Sequence, residues 1–168
     1  MLLEFLCLCV FPGAMAFAGS MDLVSMTIPN RISIFLVGAF AVMAPFVGLS
    51  ASQLAAHLAS GGMMLAIGIF MFARGWIGGG DAKIFATAAL WFGFDYLGDF
   101  AMLSAIAGGV LTLTLLAFRR LPLPAMVQSQ GWLVHLHQPR TGVPYGIAMA
   151  AAALMVYPST PWFLAVIG

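Results

Sequence analysis

The sequence predicts an all-α integral membrane protein with six transmembrane helices and both termini outside. Charge is scarce: six Lys or Arg and five Asp or Glu make up 7% of 168 residues, against roughly 25% in a soluble domain. Hydrophobic residues reach 63% and the mean hydropathy is +1.09, so a water-exposed globule would lack the polar surface to cover itself. The apolar residues also fall in runs approaching the roughly 20 residues that a helix needs to cross a bilayer. A net charge of +1 gives nucleic acid no electrostatic hold.

The first expected span is Leu2 to Gly19. Cys7 and Cys9 within it sit at i, i+2, on different helix faces, which makes them packing residues rather than a disulfide or zinc pair. Ala14-Met15-Ala16 and Ala16-Phe17-Ala18 resemble signal cleavage sites, but the preceding residues carry Glu4 and no cation, the wrong charge for a secretory signal. The second span, Ile32 to Leu49, follows Ile28-Pro29-Asn30: Pro29 holds Ile28 extended and Asn30 is the expected N-cap. The third runs from Leu54 to Ala73. The fourth, Ile84 to Phe94, is short; it either extends back through Gly78-Gly79-Gly80 or is a broken helix whose irregular end is buried in protein. The fifth is Phe100 to Phe118, closed by Leu121-Pro122-Leu123-Pro124, and the sixth Val143 to Tyr157. Together they read as one membrane-embedded domain over residues 1–168.

Orientation follows from the cations. Arg31, Arg74, Lys83, Arg119, Arg120 and Arg140 all fall in the connections after spans one, three and five, so that side is cytoplasmic. Glu4, Asp95 and Asp99 take the other side.

Two aspartates need explaining. Asp22 closes the first span and Asp81 follows the glycine run, with two spans between them. Two crossings return the chain to its starting side, so both carboxylates reach the cytoplasmic edge of the bilayer. An acid there is a functional-site hypothesis by default. The plain alternative is that Asp22 ends a helix and Asp81 caps one. Three glycines are a poor way to continue a helix; what they offer is unhindered backbone approach for a helix or a substrate strand. No strand precedes them and no Walker Lys-Ser pair follows, so phosphate binding is not indicated. Two carboxylates in a partly desolvated site share a proton. One can then activate a water while the other polarises a carbonyl, the chemistry of aspartic peptide hydrolysis.

Asp22-Leu23-Val24-Ser25-Met26-Thr27-Ile28-Pro29-Asn30 resembles the D-x5-I-P-N segment of type IV prepilin peptidases. Gly78-Gly79-Gly80-Asp81-Ala82-Lys83 resembles their G-x-G-D-x-K motif, and Gly142-Val143-Pro144-Tyr145-Gly146 their P-Y-G element. The resemblance spans nearly the whole chain. It implies a GxGD aspartic endopeptidase that removes the short basic leader of prepilins at the cytoplasmic membrane face, in the bacterial inner membrane, for pilus biogenesis or secretion. Asp22 and Asp81 would be the catalytic pair, with Gly78, Gly79, Gly80, Lys83, Pro29, Asn30, Pro144, Tyr145 and Gly146 binding substrate or shaping the site. It implies no cofactor and no metal. Its implied partners are a prepilin, the lipid bilayer and pilus assembly machinery.

Larger family members add a four-cysteine zinc insertion and methylate the new terminus; this sequence has no cysteines for that site, resembles the short peptidases of tight-adherence (Flp) pili, and is not expected to methylate. Leu23 to Thr27 carries no charge, a departure from basic relatives. Lys83 is expected to snorkel to headgroups, or else to act on the acids or on an acidic pilin residue. The loop Arg119 to Thr141 is expected to face solvent or headgroups, its His135 and His137 lacking a third metal ligand. A small proton-coupled transporter and a non-enzymatic assembly scaffold remain the rival readings.

Overall fold

The computed structural model describes residues 2–123, 129–139 and 141–167. Arg140 and Pro124 lie outside the described residues, as does the side chain of Glu4. Seven α-helices and one 3-10 turn account for the regular structure there, with no strand among the described residues: α1 Leu2–Ser25, α2 Asn30–Met43, α3 Ala51–Ala73, α4 Gly79–Arg120, α5 Gly131–His137, α6 Tyr145–Val156, the 3-10 turn Tyr157–Ser159 and α7 Pro161–Ile167.

Three stretches are long and apolar enough to cross a membrane: Phe5–Ser25, Ala51–Ala73 and Gly79–Arg120; Asn30–Met43 and Tyr145–Ser159 are apolar but shorter. The helices turn large apolar side chains outward. Ile34 is 70% exposed, Leu113 69% and Met155 69%, a surface that water would drive to aggregate and that lipid solvates.

The bounds differ from the sequence expectation for local reasons. α1 runs on to Ser25, so Asp22 lies inside its last turn rather than closing it. α2 stops at Met43 because Pro45 has no N–H to continue the ladder, and a turn follows, with Phe46 and Val47 N–H both donating to the Met43 carbonyl. Asn30 is the first helical residue of α2 and not its N-cap; Pro29 holds that place with φ −62° and ψ 135°. α3 starts at Ala51, earlier than expected, because Ser50 and Gln53 form a reciprocal capping box.

The expected fourth and fifth spans form one element, α4, broken at Gly93 (φ 62°, ψ −171°). The break reverses the chain. Phe85 and Phe100 would stand about 22 Å apart along a straight helix, yet their ring centroids are 4.8 Å apart. Residues 79–92 and 94–120 therefore form an antiparallel helical hairpin. Only glycine adopts that φ/ψ readily, and a Cβ at 93 would also stand 3.1 Å from His57 Nε2. Gly93→Ala is expected to destabilise the protein by about 2 kcal/mol, read as a lower thermal unfolding midpoint in detergent. Helix resumes at once, so the exposed Asp95 sits in the first turn of the second half, where an acid is favoured, and the exposed Asp99 one turn further on.

The aromatic part of the buried core lies at the end of the molecule near Gly93. Phe11, Phe40, Trp91, Tyr157 and Trp162 pack there at ring-centroid distances of 4.6–6.0 Å. Trp91 Nε1 donates to Leu36 O at 3.0 Å, Trp162 Nε1 to Trp91 O at 2.6 Å, and Tyr157 Oη to Cys7 O. These bonds tie α2 and α7 to α4, and the 3-10 turn to α1. The last turn of α1 and the first turn of α4 belong to the other end.

Candidate active site

Asp22 and Asp81 line one cavity of about 970 Å³. Parity of crossings anticipated the meeting; the structure supplies its means. Asp22 projects from the last turn of α1, is 6% exposed, and accepts a 2.7 Å hydrogen bond at Oδ2 from the backbone N–H of Gly146. That N–H is free to donate because it belongs to the first turn of α6, where no intrahelical acceptor exists. Gly146 is also the residue that lets the acid fit. A Cβ there would stand 2.8 Å from Asp22 Oδ2 and 2.9 Å from Asp22 Cβ.

Asp81 is the third residue of α4, not its cap. Gly78 is the N-cap, and the Asp81 carboxylate turns back toward it. A side chain at 78 would press on it, the ideal Cβ standing 3.0 Å from Asp81 Oδ2. Gly79 and Gly80 form the first helical turn, packed under Phe72 and against Ile28 respectively. The helix-terminus role left open by the sequence is thus partly filled, and it leaves the acid on the cavity wall.

Several expected site residues sit around this pair. Ile28 is buried between Gly80 and Gly146, so the Ile28-Pro29-Asn30 turn wedges the two acid-bearing helix ends. Met26, just before it, takes the left-handed conformation (φ 54°) that ends α1, and lines the cavity. Pro144 is fully buried, and Tyr145 lines the cavity with its ring packed on Gly108, where a Cβ would stand 2.3 Å from the ring.

Lys83 does not simply snorkel: its Nζ donates to Asn30 Oδ1 at 2.9 Å, tying the start of α2 to α4. A double-mutant cycle of Lys83→Met with Asn30→Ala should return a coupling of about 0.5 kcal/mol by thermal unfolding; independent effects would show that the bond is idle.

Sequence reading missed three features. The Arg119 guanidinium donates to the carbonyls of Leu136, Thr141 and Gly142 at 2.8, 2.8 and 2.9 Å, so the loop treated as solvated holds Gly142 and Val143 against the cavity. The wall itself is apolar, with Met64, Ile67, Met71 and Phe85. Ser104 enters it from the second half of α4, which only the hairpin at Gly93 brings back to Asp81. A lone serine in an apolar run carries no signal in sequence.

Among the described residues no group of three or more His, Cys, Asp or Glu could hold a metal ion. Within the cavity, the acids can hold and orient a water, share a proton, and face an extended chain in an apolar trough.

Comparison with known families gives a match to the type IV leader peptidase family over residues 9–113, more than half of the chain. Both aspartates fall inside the matched stretch and the Gly142–Gly146 element beyond it. No curated protein and no solved structure matches.

Proposed function

This chain belongs to the type IV leader peptidase family, and from that premise we propose that it is an aspartic endopeptidase that removes the leader from prepilins, with Asp22 and Asp81 as the catalytic pair. One observation carries the proposal: two acids from distant parts of the chain line the same cavity. Family membership supports peptide hydrolysis, and among the described residues the paired carboxylates are the groups suited to it.

In the mechanism, one carboxylate is ionised and the other carries the pair's proton. The ionised group takes a proton from a water lying between them, and the water oxygen bonds to the scissile carbonyl carbon while the protonated group hydrogen-bonds the carbonyl oxygen. The tetrahedral species then collapses: the leaving nitrogen takes a proton from the pair, the C–N bond breaks, and a carboxylate and an amine leave. The protons belong to the pair rather than to either residue. The Gly146 N–H holds the Asp22 carboxylate, so that little reorganisation of that group precedes attack. The apolar wall suits the hydrophobic segment of a small Flp-type pilin, and Leu23 to Thr27, uncharged, leaves leader docking to other groups.

The proposed topology has six crossings, with both termini outside: α1, α2, α3, the two halves of α4, and α6. It puts Arg31, Arg74, Lys83, Arg119 and both acids on the cytoplasmic face of the inner membrane, within reach of pilus assembly machinery. The α4 hairpin supports this count, because it converts one long apolar element into two opposed ones. The test is reconstitution in vesicles with a prepilin supplied on one side at a time. Cleavage is expected only from the side bearing the Arg74 connection. Proton flux without cleavage would favour a transporter instead.

A further inference from the structure

We infer that Ser104 is a substrate-binding residue whose hydroxyl hydrogen-bonds the backbone of the peptide held in the cavity. The inference rests on the peptidase reading and adds a residue to it. Ser104 is 4% exposed, its Oγ has no hydrogen-bond partner in the protein, and it lines the cavity that holds Asp22 and Asp81.

Helical hydroxyls in an apolar setting ordinarily satisfy themselves on the carbonyl four residues back, and this chain does so repeatedly. Ser20 donates to Ala16 O, Ser25 to Met21 O, Thr87 to Lys83 O, Thr112 to Gly108 O and Thr114 to Val110 O, at 2.6–2.8 Å. Ser104 makes no such bond. A buried hydroxyl left unpaired costs free energy that a bound partner would recover.

The cavity indicates the partner. Half of its wall is Met, Ile, Phe and Ala, and Ala101 and Ala105 flank Ser104 with methyl groups only, so the neighbouring side chains offer the buried hydroxyl no polar partner. An extended peptide entering such a trough brings unpaired N–H and C=O groups that apolar side chains cannot satisfy. A neutral hydroxyl that can donate or accept suits a peptide group; an anionic ligand would call for a cation, and the charged residues of this wall are the acids Asp22 and Asp81. Ser60 is the other buried hydroxyl without a partner among the described residues, but it lies outside the cavity wall and serves as the control.

The test is prepilin cleavage by the purified full-length protein in detergent, with thermal unfolding measured on each variant. Ser104→Ala is expected to lower kcat/KM about tenfold, the loss of one hydrogen bond to a bound group, while its unfolding midpoint stays level or rises, since the resting protein loses no bond. Ser60→Ala should cleave like the wild type. If Ser104→Ala cleaves like the wild type, or loses activity only alongside a lowered midpoint, the assignment is overturned and the peptidase reading stands. A wild type that does not cleave overturns both.

Discussion

Asp22→Asn and Asp81→Asn should each lower prepilin cleavage by about 10³-fold or more, and the double variant should be little worse than either alone. An amide can neither hold the shared proton nor take one from water, so losing one member disables the pair. Residues that act as a unit give such non-additive losses. Steady-state assays of the three proteins, each checked for membrane insertion, measure this. The same logic gives a bell-shaped pH dependence of kcat/KM: below the lower pKa of the pair no base remains, and above the upper one no acid remains. If an acid merely ended or capped a helix, its Asn variant would keep activity and shift the unfolding midpoint instead.

Gly146→Ala is expected to cost about 10²-fold in kcat/KM with modest loss of stability, although it adds a single methyl group. That methyl would stand 2.8 Å from Asp22 Oδ2 and 2.9 Å from both Asp22 Cβ and Ile28 Cδ1, so the acid, the wedge residue or the start of α6 must move. A displacement of about 1 Å at a reacting group is enough for a loss of that size. Gly109→Ala provides the comparison, because a Cβ there meets nothing within 4 Å and helix propensity favours alanine. Equal activity of Gly146→Ala and wild type would mean that the Gly146 contact does not fix Asp22.

Much of this was legible in the sequence because the membrane simplifies the reading. Low charge and long apolar runs pointed to the helical class and to the approximate places of the helices, and Asp22 and Asp81, expected at one end, line one cavity. The glycines beside Asp81 signalled close backbone approach, and the structure uses them so. What stayed hidden is tertiary. Nothing local to Gly93 distinguishes a loop between two spans from a one-residue reversal inside one helical element, since Asp95 and Asp99 fit either. The limits of α1 and α2 moved because Asp22 is tolerated inside a helical turn when Gly146 satisfies it, and because Pro45 stops a ladder that hydropathy alone would continue. Arg119 reads as a surface cation until three carbonyls converge on it, and Ser104 reads as a spacer until the hairpin faces it toward Asp81.

The central claim is that one site holding both acids cuts a leader from its substrate by activating water. Intact-mass measurement of a short prepilin after incubation with the purified protein tests it most directly. The predicted result is a pilin lighter by the basic leader, a released leader whose new carboxylate carries one ¹⁸O when the reaction is run in ¹⁸O water, and only uncut prepilin with Asp81→Asn. An unchanged substrate mass with the wild-type protein, or an equal yield of product from Asp81→Asn, would contradict it.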